Sequence, residues 1–431
     1  MLNRVEWIVI LAVVVAGRGS LFGGEVVETN WPEYRGPHAD GVSGASGLPI
    51  RWGEASNLKW KTPIPGRGYS TPVIWGRQVW MTTAIEPSED SSGDPMQLLA
   101  VCVGRDSGEV IRVVRVFDVD KPVNIHELNS HASPSPGIEP GRVYVHFGTY
   151  GTAAIDTTTG DVLWMRRDLT LNHSVGPGSS PVLYENLLIF NCDGRDTRYV
   201  IALDKRNGRT AWRTERSNDV SHKEPPMHKA FSTPILIRHG GEVQLVSTGA
   251  HAVMGYEPLT GREIWQIRYE GFSNVPRPIF GNGLIFINTG YVKPQLMAIR
   301  PGGSGDVTDS HVAWTRKRTI PKKPSPLLVD GMIYQVTDNG IATCIEAKNG
   351  ETVWEGRLEG EYTASPLYAD GRVYYFNHDG KTTVVRAGGE FEVLAENRLD
   401  GDFMASPAVS GRALFLRTKT HLCRVEAVPN P

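Results

Sequence analysis

Four eleven-residue stretches of this chain follow one pattern, and a chain built from a recurring unit of this size is confined to a repeat architecture. Residues 154–164 read A-I-D-T-T-T-G-D-V-L-W, and residues 202–212 read A-L-D-K-R-N-G-R-T-A-W. Residues 255–265 read G-Y-E-P-L-T-G-R-E-I-W, and residues 344–354 read C-I-E-A-K-N-G-E-T-V-W. A small residue stands first, an acid third, glycine seventh and tryptophan eleventh. The run ahead of the acid, as in Y-V-I-A-L at residues 199–203, is short, apolar and β-branched, which suits a buried strand. The acid, a Thr or Asn and the glycine then form a tight turn. A second strand ends on tryptophan, whose indole can bury about 200 Å² and donate one N–H. Trp60, Trp164, Trp212, Trp265, Trp314 and Trp354 are therefore expected to staple neighbouring sheets.

A second mark precedes each unit: Ser or Thr, then Pro, then an apolar strand. It occurs at Thr71-Pro72, Ser135-Pro136, Ser180-Pro181, Thr233-Pro234, Ser325-Pro326, Ser365-Pro366 and Ser406-Pro407, with Arg277-Pro278 as a weaker eighth. Proline is tolerated where a strand begins, since no ladder N–H is needed there. Each unit has room for four short strands, the antiparallel blade of a β-propeller. Eight blades are expected, with seven as the alternative if the Arg277 unit is irregular. The last unit has room for only about three strands. Residues 57–65 (N-L-K-W-K-T-P-I-P) look like the segment that follows the glycine turn elsewhere, with Trp60 in the tryptophan place. Added to the last blade, that N-terminal strand closes the ring and removes its exposed edges.

The repeat resembles the tryptophan-docking motif of eight-bladed quinoprotein-type (PQQ-like) propellers. That superfamily holds the pyrroloquinoline quinone (PQQ) alcohol dehydrogenases. It also holds non-catalytic relatives such as the lipoprotein of the bacterial outer-membrane barrel assembly machinery. Residues 30–43 (N-W-P-E-Y-R-G-P-H-A-D-G-V-S) are similar to the start of exported PQQ-like repeat proteins of planctomycete-type bacteria. A dehydrogenase of this kind implies a vicinal cysteine pair and an acid/amide cluster holding Ca²⁺ beside the quinone. This chain has no Cys-Cys, and its acids fall mainly in repeat turns or loops, so PQQ with Ca²⁺ is not expected. No G-x-S-x-G, H-E-x-x-H or P-loop motif occurs either.

Arg4 precedes an apolar run from Trp7 to Ala16, too short to span a bilayer and followed by small residues. It reads as a cleaved secretory signal, with an uncleaved anchor as the alternative and cleavage between Gly17 and Gly24. The expected organisation is a signal peptide at 1–24, an N-terminal segment at 25–56 and a single propeller domain at 57–431. The mature chain is then periplasmic or secreted, without a transmembrane span and without a lipid anchor, since no cysteine lies near the cleavage region. A formal net charge of −2 leaves no basic footprint for nucleic acid. Cys102 and Cys344 fall in the small-residue place of the repeat and Cys192 and Cys423 in other apolar strands, so all four read as buried free thiols rather than disulfides.

In a propeller the strand after each anchor is innermost, so the residues ahead of the anchors gather around one mouth of the central channel. Tyr69, His131, His173, His228, Arg277, Lys323, Tyr362 and Phe403 stand in such places, a candidate ligand funnel. His126, His131, His173 and His228 are candidates for a transition-metal site. An anion site with Arg277 and Lys323 is a second reading, and backbone hydrogen bonding at the blade junctions a third. Two functions follow. One is an exported, monomeric, non-catalytic binding or scaffold module for an envelope protein, a polysaccharide or other glycan, or a small ligand. The other is a metal- or quinone-dependent, oxidoreductase-like enzyme with its site in the funnel.

Overall fold

The computed structural model describes residues 30–87 and 93–427, and the signal-like run at 7–16 lies outside them. Short β-branched runs punctuated by Gly and Asn turns fold as eight antiparallel sheets, the blades of an eight-bladed β-propeller. Blade 3 is typical, with Val182–Tyr184 innermost, then Leu187–Asp193, Arg198–Asp204 and Thr210–Glu215 outward in chain order. The eighth sheet runs outward from Ala408–Ser410 through Ala413–Arg417 and His421–Glu426 and takes Leu58–Pro63 as its outer strand. The core lies between blades: Leu98 and Phe117 of blade 1 pack in one cluster with Val143 and Phe147 of blade 2. Among the described residues no helix is long and apolar enough to cross a membrane.

The hydroxyl before each proline has a defined task. The Thr71 N–H donates to Ser135 Oγ (2.9 Å), Ser135 N–H to Ser180 Oγ (2.9 Å) and Ser180 N–H to Thr233 Oγ1 (2.9 Å). Arg277 N–H donates to Ser325 Oγ (3.0 Å), Ser325 N–H to Ser365 Oγ (3.0 Å) and Ser365 N–H to Ser406 Oγ (2.9 Å). Six of the eight blades thus hand their first backbone N–H to the hydroxyl of the next, forming an interrupted belt around the channel. A buried N–H needs such a partner, and Ser or Thr supplies it without adding bulk. The belt breaks from blade 4 to blade 5, where Arg277 stands in the hydroxyl place. Its guanidinium reaches back to the Pro234 carbonyl instead (2.9 and 3.1 Å).

A second set of links runs around the rim. The indole N–H of Trp164 donates to the Lys205 carbonyl of the next blade (2.8 Å), Trp212 to Pro258 (3.0 Å), Trp314 to Ala347 (3.1 Å) and Trp354 to Gly388 (2.9 Å). The ring lies on the next blade's turn glycine: a Cβ on Gly208 would meet Trp164 at 2.5 Å, and one on Gly261 would meet Trp212 at 2.4 Å. Register explains the small first residue of the repeat, because Ala154, Ala202, Gly255 and Cys344 sit directly across the ladder from Trp164, Trp212, Trp265 and Trp354. All four cysteines are buried and free.

Three blades solve the same problem differently. In blade 1 Arg112 faces Cys102 and donates to the Thr158 and Thr159 carbonyls of blade 2. In blade 7 Trp52, from the N-terminal segment, stacks on Tyr374 at 6.3 Å, as Trp354 lies on Tyr334 at 6.0 Å in blade 6. Trp265 of blade 4 keeps its N–H within the blade, on Gln244 (2.9 Å), and its outer strand gains Gly305–Asp306 as a fifth, parallel strand.

The N-terminal segment occupies the channel. Trp31 bridges to Ile74 on the innermost strand of blade 1, and Val42–Ser43 runs parallel to Leu367–Ala369, the innermost strand of blade 7. Between them the chain turns back: the Tyr34 hydroxyl reaches Ser365 Oγ (3.0 Å) and Ser325 Oγ (3.3 Å) of the belt. Arg35, 2% exposed, donates to the Ser325 and Pro326 carbonyls. Both legs of this loop end at the inner-strand turns, where Asn30 bonds Gly76 N–H and Gly47 N–H bonds Asp370. The loop therefore enters from the turn end with its tip at the belt.

Truncating Trp212 to Ala should cost roughly 3–5 kcal/mol in urea unfolding, as buried aromatic deletions do; a loss below about 1 kcal/mol would mean the indole does not dock. Ser180→Ala strands the Ser135 N–H and should cost about 1–3 kcal/mol, whereas Ser180→Thr, which keeps the hydroxyl, should be close to neutral. Equal costs for the two Ser180 variants would show that the belt bond is not what holds this position.

Candidate functional site

Above the belt, opposite the end where the N-terminal loop enters, the channel opens into a cavity of about 580 Å³. Its floor is built from belt residues of several blades, Thr71, Ser135, Ser180, Thr233 and Ser406, together with Tyr34 of the N-terminal loop. One wall carries Lys229, Phe231, Phe272, Tyr291, Lys322 and Lys323; the other carries Tyr69, His126, Leu128, Asn129 and Met404. The channel is thus a cup closed from beneath by its own chain.

The cationic wall is held together by its own backbone. Phe231 N–H donates to the Asn274 carbonyl, Ser273 N–H to Lys229 O and Tyr291 N–H to Phe272 O, each at 2.8 Å, so the loops of blades 4 and 5 hold one another. The Lys229 ammonium bonds the Pro226 carbonyl (2.7 Å) and stands 5.4 Å from the Phe272 ring. Burial, and then nearby Arg195, hold its pKa below the usual lysine value. The Lys322 ammonium lies 4.9 Å from the Tyr291 ring. Asp338 is engaged, 3.4 Å from Lys323 Nζ and accepting the Lys322 N–H at 2.8 Å. Across the cup Arg67 donates to the Tyr69 hydroxyl (2.6 and 2.9 Å) and to the Glu127 and Asn129 carbonyls. Burial raises the Tyr69 pKa, so the phenol stays neutral.

Of the residues singled out from sequence, Tyr69, Lys323 and His126 line this cup, and six do not. Arg277, 1% exposed, lies in the blade 4–blade 5 junction, holding Pro234 O and Tyr34 O. Tyr362 and Phe403 are core: the first donates to the Glu359 carbonyl (3.0 Å), the second packs edge-on against Phe376 (5.7 Å). His131 is buried on the Tyr150 hydroxyl (2.9 Å). His173 Nε2 accepts the Thr149 N–H (2.8 Å), which occupies the lone pair a metal would use. His228 Nε2 sits 3.0 Å from each of the Val220 and Lys223 carbonyls, closing its own loop. Among the described residues no group of three His, Cys, Asp or Glu is arranged to hold a metal. Loop backbone captures His173 and His228 because a long loop must satisfy its own buried N–H and C=O groups. Sequence reasoning did not foresee the aromatic wall or Tyr34. Phe231 and Phe272 do stand ahead of the Thr233 and Arg277 anchors, a position that could have marked them.

This is an eight-bladed propeller with a blind cup, and known proteins place it further. A family described as outer membrane protein assembly factor BamB (PQQ_2) matches residues 53–299, 196–329 and 303–401, so the chain belongs to that family. The structure is similar to BamB from Moraxella catarrhalis, with a TM-score of 0.57 and 11% identity over 85% of this chain and 99% of that one. It is also similar to the quinohemoprotein alcohol dehydrogenase of Comamonas testosteroni, with a TM-score of 0.63 and 12% identity over 93% and 81%. By sequence it is 24% identical to the uncharacterized protein RP232 of Rickettsia prowazekii over 48% of this chain and 45% of that one. It is 22% identical to a tetrathionate hydrolase of Acidianus ambivalens over 25% and 23%. The chain spans less than half the length of either relative, and the structural likenesses speak for the fold alone.

Two buried imidazoles tie stability to pH. Burial pushes His173 down to about 4 and His146, packed against Phe190, down to about 3, from an ordinary 6.5. The folded state therefore keeps both neutral while the unfolded chain takes up protons first. The stability is whole above pH 6.5 and is lost as pH falls toward 4. Urea midpoints should drop between pH 7 and pH 5. His173→Gln, which can still accept the Thr149 N–H, should flatten the slope by up to about 1.4 kcal/mol per pH unit. An unchanged slope would show that His173 is not buried neutral.

Proposed function

We propose that this protein is an exported, non-catalytic binding propeller whose blind cup takes a ligand at the end of the channel away from its N-terminal loop. The observation that carries this reading is the closed floor. The Tyr34 hydroxyl is held on Ser325 and Ser365, so the channel is a receptacle rather than a conduit. A pre-ordered concave site with apolar walls and a few placed polar groups is what small-ligand recognition needs. Export rests on the leader-like run at 7–16, and the family's description as an outer membrane assembly factor agrees with a place in the cell envelope.

The dehydrogenase branch implies a quinone held with Ca²⁺, and the residues present do not fit it. Ca²⁺ takes six to eight oxygen ligands, several of them carboxylates as a rule. Among the described residues the cup offers one carboxylate, Asp338, already engaged by Lys323. The sequence also lacks the adjacent cysteines that the resemblance implies.

The test is a ligand-observed NMR fragment screen on the full mature protein, repeated on Tyr69→Ala and Phe272→Ala. Fragments should bind the wild type and be lost on the cup variants while the urea midpoint stays within about 0.5 kcal/mol. Binding indifferent to both substitutions would place the site elsewhere and overturn the reading. Titration with PQQ and Ca²⁺ should give no saturable absorbance change; saturable binding coupled to dye-linked alcohol oxidation would establish the enzyme instead.

A further inference from the structure

Resting on the binding-cup reading, we infer that the ligand is an acidic saccharide, with its ring against the aromatic wall and its carboxylate or sulfate groups toward the lysines and the hydroxyl floor. Three observations converge on this chemistry.

The first is the floor. Ser135, Ser180, Thr233 and Ser406 each spend an oxygen lone pair accepting a backbone N–H of the preceding blade. No bond among the described residues uses their hydroxyl protons, and all four residues line the cavity. A hydroxyl that accepts keeps its O–H as a donor. The cup therefore ends in a ring of donors gathered from four blades, which calls for a ligand rich in acceptor oxygens.

The second is charge. Lys229, Lys322 and Lys323 line the cavity with Asp338 as the one carboxylate among the described residues, and Asp338 pairs with Lys323. Lys229 and Lys322 form no ion pair among the described residues. Two ammonium groups thus face the cup without a protein anion. Lys229 is only 8% exposed and bonded to a single carbonyl, a costly place for a cation that an anionic ligand would relieve.

The third is shape. Phe272 and Tyr291 hold those two ammoniums near their rings at 5.4 and 4.9 Å, so aromatic faces and cations are paired side by side along one wall. Tyr291 is 59% exposed at the lip, so its ring remains open to a ligand beside Lys322. A pyranose offers apolar C–H groups to such a face and acids at its edge. An acidic peptide offers the charges without a ring to stack.

The probes are trigalacturonate, neutral maltotriose and tri-glutamate, titrated calorimetrically into the full mature protein. Trigalacturonate should bind at least about tenfold more tightly than maltotriose, a difference of about 1.4 kcal/mol. It should weaken on raising salt from about 50 to about 300 mM. Lys322→Ala should weaken it about fivefold or more and Lys322→Arg restore it, because the arginine keeps charge at the ring. Tyr291→Ala should weaken both saccharides. Equal affinity for the two saccharides, indifference to Lys322→Ala, or tri-glutamate binding as tightly as trigalacturonate would overturn the inference, the last in favour of an acidic peptide. If none of the three binds while fragments still occupy the cup, the saccharide is wrong and the binding-cup reading stands. If fragments fail as well, both fall.

Discussion

One backbone hydrogen bond, repeated from blade to blade, holds the centre of this molecule together. In six of the eight blades the innermost strand begins with an N–H that the hydroxyl of the next blade accepts. The link is short, buried and directional, so it sets the spacing of blades around the axis as well as joining them. The proline that follows suits the same place, where no ladder donor is needed. The tryptophan docks fix the same junctions at the outer rim. The interfaces that carry both links, such as blade 2 to 3 and blade 3 to 4, are thus pinned at two radii.

The blades were legible in sequence because their constraints are local. A strand, a glycine turn and an indole across from a small residue lie within eleven positions, so the pattern survives in one dimension. Arg112 and Trp52 were not legible as docking groups. One replaces an indole by a guanidinium that reaches two carbonyls of the next turn, and the other comes from a distant part of the chain. The Arg277 unit looked weak for a physical reason: its side chain leaves the belt to hold the Pro234 carbonyl and the N-terminal loop.

The cup was legible only as a location. The rule that residues before the anchors gather at one mouth led to Tyr69, Lys323 and His126, which line the cavity. It also led to His131, His173 and His228, which turn toward the Tyr150 hydroxyl, the Thr149 N–H and the Val220 and Lys223 carbonyls. Sequence position says which residues are near a mouth. Whether a side chain faces the opening or the loop depends on which backbone groups the loop has left unsatisfied, and that is a three-dimensional question. Tyr34 was beyond reach for the same reason, since nothing local says that a segment ahead of the first blade lies inside the ring.

The N-terminal loop in the channel has a consequence for synthesis. Val42 and Ser43 pair with Tyr368 and Ala369, and Leu58–Pro63 pairs with His421–Glu426. Residues 42–43 and 58–63 therefore find these partners only after the strands at 367–369 and 421–426 have been made. Blades can form in turn as they emerge, but the axis is filled only once blade 7 exists, and the eighth sheet is complete only when Leu58–Pro63 joins it. Contacts of such long sequence separation are slow to form. The intermediate before closure is an open arc with an exposed strand edge and an unfilled centre, the state in which a propeller is most prone to pair with a neighbour. The loop that closes the cup and the strand that closes the ring are thus secured at different times: a ribosome stalled inside the eighth sheet would leave a floor docked on blades 6 and 7 beneath a ring that still has an open edge.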